Sequence, residues 1–408
     1  MTTRSVSVTG LGMTTPAGVG AAATWAGLLT GIPTATPDPR LEGMPVAFSC
    51  QIPGFDAVKA IGRRIVWRTD RFVHLALLTA REALADSGLD PAAWDGNRVG
   101  VVIGVGASSQ DTASREYGHL ARGAYRALSP TDVPRSMPNM APAEIAIDCQ
   151  ATGPNFAVST ACASGATAIG LARDLIVSGT CDIVIAGGSE SAGSSRLAAG
   201  AFWRMGALSS RCHDPAGASR PFDADRDGFV LGEGAGILIL EETRHARARR
   251  APIRAHLAGY GTTCDAHHWT TPHPEGRGTV QALRTALGNA ALAPSDIGHV
   301  NAHATSTPAN DISEAEALRA VFHTPPPVTA TKSVIGHAIA GAGAIEAAVS
   351  VLSLTTQTIH PTANLERHDP AIDLDIVTKQ PRQQRMTAVA STSLGFGGQN
   401  TALIFTSA

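Results

Sequence analysis

Short apolar runs of four to six residues alternate with longer Ala- and Leu-rich stretches along most of the chain. Val6–Leu11, Arg98–Ile103, Ile183–Ala186, Gly236–Leu240, Ile253–Ala258 and His299–Ala302 read as strands buried on both faces. Asp70–Ser87, Cys162–Ser178, Gly278–Ala290 and Ile339–Leu354 lie between them and have helical length and composition. Strands and helices in alternation predict an α/β fold, with mostly parallel sheet covered by helices on both faces. The Arg-rich stretch Arg244–Arg254 divides the chain into a larger part, 1–250, and a smaller one, 251–408, each with its own strand–helix series. With no low-complexity linker between them, two intimately packed halves are expected rather than two tethered domains.

Composition narrows the class without naming a function. The 408 residues are 44% hydrophobic and 16% charged, enough for one large or two medium cores. A formal net charge of −2 gives no hint of nucleic-acid or membrane binding. No apolar run is read as reaching the roughly 18 residues that span a bilayer. Met1 to Val8 runs straight into a strand-like pattern without the basic and apolar regions of a signal peptide, so a cytoplasmic location is expected. The six cysteines are scattered and expected to be free thiols, each by default a small buried hydrophobe. Only three lysines occur, Lys59, Lys332 and Lys379, which makes the placement of Lys332 below more noticeable.

Several patterns mimic familiar sites and fall short. Gly10-Leu-Gly12 and Gly104-Val-Gly106 each lack the third glycine of a dinucleotide turn, and tight strand-to-helix turns explain them equally well. Asp223-Ala-Asp225-Arg-Asp227-Gly228 begins like a calcium loop, but Gly234 stands where the bidentate Glu belongs. An acidic turn with Arg220 and Arg226 as partners is the better reading. His267, His268 and His273 lack metal-ligand spacing and suggest a loop lining a pocket, so no metal site is expected. The Arg247–Arg250 run reads as a solvated helix end.

Four stretches carry chemistry. In Val158-Ser-Thr-Ala-Cys162-Ala-Ser-Gly165, small residues surround a cysteine where a helix should begin, and the positive end of the helix dipole there favours thiolate. On this evidence alone a structural thiol is nearly as good a reading. Val300-Asn-Ala-His303 ends a strand on a histidine, at the carboxyl edge where α/β proteins collect ligands. Asp311 and Glu314 follow, three apart and able to share one helical face. Thr331-Lys332-Ser-Val-Ile-Gly336-His337 places a lysine and a second histidine before a Gly/Ala-rich helix that runs through Glu346. The glycine-rich loop Ser393-Leu-Gly395-Phe396-Gly397-Gly398-Gln399-Asn400 can aim backbone N–H groups at a developing oxyanion.

In this order and spacing the four motifs resemble the β-ketoacyl synthase family, from about Ser5 to Phe405, and so the thiolase-like fold. Gly187-Gly-Ser-Glu190, Arg220-Pro-Phe-Asp223 and Asp227-Gly-Phe-Val-Leu-Gly-Glu233 add to the likeness. The resemblance implies two packed halves in a five-layered α-β-α-β-α arrangement, Cys162 in the first half and His303, Lys332 and His337 in the second. It implies that Cys162 accepts an acyl chain from the phosphopantetheine arm of an acyl carrier protein. His303 and His337 would stabilise the enolate formed when a malonyl thioester loses CO2. The N–H groups of Cys162 and Phe396 would form an oxyanion hole, with Phe396 also acting as a gate. Lys332, paired with Glu314, would hold the histidines, with Asp311 in support. Thr270 and Thr271 would bind pantetheine. Arg63, Arg64, Arg68 and Arg71 would dock the acidic carrier, although a solvated helix start explains the same cluster. No metal or organic cofactor is implied beyond the carrier's own arm.

The chain departs from the family's pattern at Ala304, Ala340-Gly341, Leu394, Gln399, Trp203, Trp269 and Asp132. None removes a catalytic group, but together they leave substrate length open. They also leave open whether the partner is an identical subunit or a sister lacking the cysteine, and they incline the reading toward a polyketide or polyene pathway over primary fatty-acid elongation. A degradative thiolase would need a second cysteine near the C-terminus, and the last one, Cys264, is expected to be far from the Phe396 loop. A non-catalytic partner subunit would not need Cys162, His303 and His337 intact.

Overall fold

Ten strands form one path through a mixed sheet in a computed structural model that describes residues 4–107 and 109–408. They are β1 (Val6–Thr15), β2 (Val99–Gly104), β3 (Asn155–Val158), β4 (Ile183–Glu190) and β5 (Gly234–Glu242) from the first part of the chain. From the second come β6 (Ala255–Cys264), β7 (Ile297–Asn301), β8 (Val328–Thr329), β9 (Ala388–Gly395) and β10 (Gln399–Thr406). The spatial order is β8-β7-β9-β10-β6-β1-β5-β4-β2-β3, so each part of the chain builds its own run of five strands. The two runs meet at a seam of only two residue pairs, Ser7 with His256 and Val8 with Ala255. Parallel pairing is confined to the outer strands; β9 with β10, β10 with β6, β1 with β5 and β4 with β5 are antiparallel.

Seven helices matter for the site: α1 (Arg71–Ser87), α2 (Met140–Cys149), α3 (Ser164–Val177), α4 (Arg277–Ala290), α5 (Pro308–Val321), α6 (Lys332–Ile335) and α7 (Ile339–Thr356). Helices α3 and α7 touch strands of both runs and lie between them, while α1 and α2 cover one outer face and α4 and α5 the other. This is the α-β-α-β-α layering. The inner helices cross closely because their contact residues are small: a Cβ on Gly165 would sit 2.8 Å from the Ala340 carbonyl oxygen, and one on Gly343 3.0 Å from the Ala166 methyl.

The structure corrects two sequence expectations and sharpens a third. Helix α7 is long and apolar enough to cross a membrane by length and composition, with mean hydropathy 1.5, although no such run was expected. Here 83% of that stretch is buried inside the protein, where the middle layer must be apolar all round. Gly10 and Gly12 lie within β1 rather than in a turn, and Cβ atoms there would meet carbonyl oxygens of Ala83 and Thr79 on α1 at 2.3 Å. They permit close helix–strand packing. The glycine-rich loop in Ser393–Asn400 is the tight bend of a hairpin between β9 and β10, with Gly397 and Gly398 at φ 84° and 74°, which glycine adopts without strain.

Candidate active site

Cys162 stands two residues before α3. The preceding turn is closed by Ser164, whose Oγ accepts the Thr160 N–H at 2.9 Å and donates to the Ala161 carbonyl at 2.6 Å. Ala161 is held at φ 50°, a left-handed conformation that costs a non-glycine residue free energy and turns the chain sharply at the nucleophile. The β9–β10 hairpin presses against this turn: a Cβ on Gly395 would lie 2.5 Å from the Thr160 carbonyl oxygen. The Phe396 N–H is thereby brought to the Cys162 sulfur.

Burial pushes the Cys162 thiol up to about 12, against the opposing pull of the Lys332 charge and the Phe396 N–H. The sequence-based expectation of a stabilised thiolate is therefore reversed: the resting group is a thiol. A definite outcome follows for alkylation. The rate of Cys162 modification by iodoacetamide should rise about tenfold per pH unit from pH 7 to roughly 10, because only the thiolate reacts. Mass spectrometry of the adduct against pH checks this. A plateau beginning near pH 6, as a cysteine–imidazolium pair gives, would contradict it.

His303 follows β7 by two residues, in a turn pinned by two of the acidic residues of α5, Asp311 and Glu314. Glu314 accepts the N–H groups of His303 at 2.8 Å and Ala304 at 2.7 Å, and Asp311 accepts that of Ser306 at 3.2 Å. The turn needs this restraint, since Ala304 at φ 32° and Ser306 at φ 69° are both left-handed. The His303 ring nitrogen Nδ1 lies 3.1 Å from Lys332 Nζ. With the ammonium donating, Nδ1 accepts and the proton sits on Nε2. His337 is fixed through its backbone, donating to the Val230 carbonyl at 2.8 Å and accepting from the Gly232 N–H at 3.0 Å. Its ring stands edge-on to His303 and to Phe229, with centroids 5.3 Å apart in each case. Burial and the Lys332 charge hold both imidazoles well below their ordinary range, so both are neutral. Both ring nitrogens of His337 are buried without a hydrogen-bond partner among the described residues.

The partner of Lys332 is a correction. Its ammonium is ion-paired with Glu346 on α7, not with Glu314, and both side chains are almost fully buried. Burial pushes the Glu346 carboxyl up to about 7 even beside that cation. Glu314 is instead taken by the two backbone N–H groups and the Thr392 hydroxyl at 2.6 Å. Sequence reading missed Glu346, although a signal was there: it is the only charged residue between Ile339 and Thr356. Asp311 also receives the Phe222 N–H at 3.0 Å and lies 3.5 Å from Arg226.

These groups open into a cavity of about 320 Å³ lined by Cys162, His303, His337, Phe229 and Phe396, and also by Thr270 and Thr271. His268 Nδ1 accepts the N–H groups of Thr270 and Thr271 at 3.2 and 3.1 Å, so this histidine organises a turn. Among the described residues no group of three or more His, Cys, Asp or Glu side chains could hold a metal ion. Asp223 is occupied by Arg220 at 3.1 Å and by the N–H groups of Asp225, Glu366 and Arg367.

The basic cluster is less uniform than its sequence suggests. Arg68 is clamped by Glu144 and Arg71 by Glu233, each through two hydrogen bonds, so neither presents a free charge. Arg63 and Arg64 are exposed beside Trp67.

Comparison with known proteins bears directly on this arrangement. The family described as "Beta-ketoacyl synthase, N-terminal domain" matches residues 3–246, and "Beta-ketoacyl synthase, C-terminal domain" matches 254–366. The chain is 39% identical over 409 residues to 3-oxoacyl-[acyl-carrier-protein] synthase 2 of Coxiella burnetii, covering 99% of each. It superposes with a TM-score of 0.93 on the ishigamide ketosynthase/chain length factor, at 33% identity over the full length of both chains. A type II polyketide acyl-carrier protein in complex with its ketosynthase matches with a TM-score of 0.91, at 32% identity and with both chains fully covered.

Proposed function

The chain belongs to the β-ketoacyl synthase family, and from that premise we propose how its own residues carry out decarboxylative chain elongation. It is an acyltransferase of the 3-oxoacyl-[acyl-carrier-protein] synthase kind, and the observation that carries the assignment of roles is the convergence of Cys162, His303 and His337 on one buried cavity. In the first half-reaction the Cys162 sulfur attacks the carbonyl carbon of an acyl thioester. The carbon–sulfur bond to the carrier's pantetheine arm breaks, and the proton lost by Cys162 leaves with that sulfur. The oxyanion that forms in between takes hydrogen bonds from the N–H groups of Cys162 and Phe396.

In the second half-reaction a malonyl thioester loses CO2. The electron pair of the broken carbon–carbon bond becomes an enolate, whose oxygen accepts the Nε2–H of His303 and an N–H of His337. Neutral imidazoles suit this task, because they donate without adding a charge that the buried site would have to solvate. The enolate carbon then attacks the Cys162 thioester, the new carbon–carbon bond forms, and the sulfur departs and regains one proton from solvent. Thr270 and Thr271 line the route of the pantetheine arm. Phe396 stands at the bend of the hairpin, its ring 6.3 Å from that of Phe202, and shifts to admit the second substrate.

Carrier docking falls to Arg63 and Arg64, with Trp67 beside them. A second subunit of the same fold, identical or lacking the cysteine, is proposed to cover β3, an edge strand with unpaired backbone groups and a partly exposed Phe156. The sequence relative is a 3-oxoacyl synthase and structural neighbours include polyketide ketosynthases, and the chemistry above is common to both. Incubation with acyl and malonyl carrier proteins tests the reading. Release of CO2, a ketoacyl carrier and an acyl adduct on Cys162 are the expected products; absence of all three would refute it.

A further inference from the structure

Two departures from the family's pattern, Trp203 and Trp269, are not used in the steps above, and both border the open end of the cavity that holds Cys162. That cavity extends from the buried sulfur to Met205 and Thr271, which are exposed, so it reaches the surface between two segments. One is the end of the helix Arg196–Arg204 with the residues after it, and the other is the turn that carries Thr270 and Thr271. Trp203 and Met205 are 44% and 46% exposed on the first, and Trp269 is 74% exposed on the second. Together Phe202–Ala207 and Trp269–Pro272 contain a single charged side chain, Arg204.

Trp269 stands on braced backbone. Its carbonyl accepts the Gly397 N–H at 2.8 Å, the next two N–H groups go to His268 Nδ1, and the His268 ring lies beside its own with centroids 6.3 Å apart. An indole held this way in water loses little freedom when it is covered, and it brings a large area to a contact. Large apolar side chains grouped at one opening mark an interaction surface. Whatever delivers a thioester to Cys162 must sit over this opening, because its arm has to pass between the two segments. Two of the arginines first expected to dock that partner are neutralised within the chain, Arg68 by Glu144 and Arg71 by Glu233.

We infer that Trp203, Met205 and Trp269 form an apolar collar that grips the carrier protein beside its pantetheine-bearing residue, and that the carrier's matching surface is apolar. The inference rests on the reading of Cys162 as the residue that takes an acyl chain from a carrier, and it adds the chemistry of that partner's contact face. Charge at Arg63, Arg64 and Arg204 steers the approach, while the collar supplies most of the affinity.

Loading kinetics of the full-length enzyme with two donors test it. Hexanoyl carrier protein and hexanoyl-pantetheine, which lacks the carrier, are compared by mass spectrometry of the Cys162 adduct. Trp269→Ala, and separately Trp203→Ala, should raise KM for the carrier-borne donor about tenfold or more, as loss of an aromatic anchor does, and leave that for the pantetheine donor within about twofold. Trp269→Phe should recover most of the loss. In the parent enzyme, KM for the carrier-borne donor should change less than about threefold between about 50 and about 500 mM NaCl, because apolar contact is not screened. An unchanged KM in both alanine variants, or a loss of tenfold or more across that salt range in the parent, would overturn the collar. An equal rise with both donors would overturn it by assigning the tryptophans to the arm, and dissociation of a dimer in sedimentation of the variants would do so by assigning them to the subunit interface. If neither donor loads Cys162, the underlying acyl-enzyme reading fails instead.

Discussion

Replacing Cys162 by alanine is expected to abolish the acyl adduct and lower elongation by about 10⁴-fold or more, while CO2 release from malonyl carrier protein persists. The two outcomes separate because the sulfur and the imidazoles serve different bonds. Loading requires a nucleophile that can also depart, and among the described residues no other thiol lines the cavity: Cys50, Cys149 and Cys181 are buried outside its lining, and Cys212 and Cys264 are exposed. Cys264 does not lie far from the Phe396 loop, as expected from sequence, but has its Sγ 3.5 Å from the Gly397 carbonyl oxygen. Decarboxylation requires only that negative charge on an enolate oxygen be met by N–H donors, and His303 and His337 are held by Glu314, Lys332 and backbone contacts that do not pass through Cys162. A Cys162→Ala enzyme that still makes ketoacyl product would remove the sulfur from the mechanism. Loss of both activities together would mean that the imidazoles do not act alone on the malonyl group.

The second large effect is on stability. Lys332→Ala leaves Glu346 in the apolar middle layer with one oxygen, Oε2, that already has no partner. Removing one member of a buried ion pair costs about 3–5 kcal/mol, and the cost should appear as a lower denaturant midpoint. Lys332→Met combined with Glu346→Leu should recover most of that loss, since an apolar pair of similar volume removes both desolvated charges. Activity should not recover with it. Without the ammonium at Nδ1, nothing fixes the proton of His303 on Nε2, and kcat should remain depressed by roughly 10–100-fold, the range found when an orienting partner of a functional histidine is lost. A double variant as active as the parent would make the lysine purely structural.

Much of this site can be read from the chain because its members sit at ends of elements. Cys162 precedes a helix, His303 follows a strand and Phe396 sits in a hairpin, and each leaves a local mark of small residues, an ending apolar run or paired glycines. What was not legible depends on distant packing. Glu346 pairs with Lys332 only because α7 carries it back through the interior, whereas the family resemblance points to Glu314. Arg68 and Arg71 form a basic cluster on paper, but Glu144 and Glu233 approach them from α2 and from the segment before β5. The thiol's resting state was misjudged for a similar reason: a helix start can be read from sequence, but the burial that outweighs it comes from segments distant in the chain, in both halves. The length of the apolar run in α7 was overlooked, and tertiary position makes it a core helix.

The strand order has a consequence for how the protein is made. β9 and β10 lie in the middle of the second run, between β7 and β6, yet both follow α7 in the chain. While a ribosome is still adding them, β6 and β7 have no strand to join them, and the long apolar helix α7 lacks part of one of the two strand runs that cover it. The second half therefore closes late, after the Gly397–Gly398 hairpin has formed, and until then the nascent chain presents an unusually hydrophobic helix for holdase chaperones to shield.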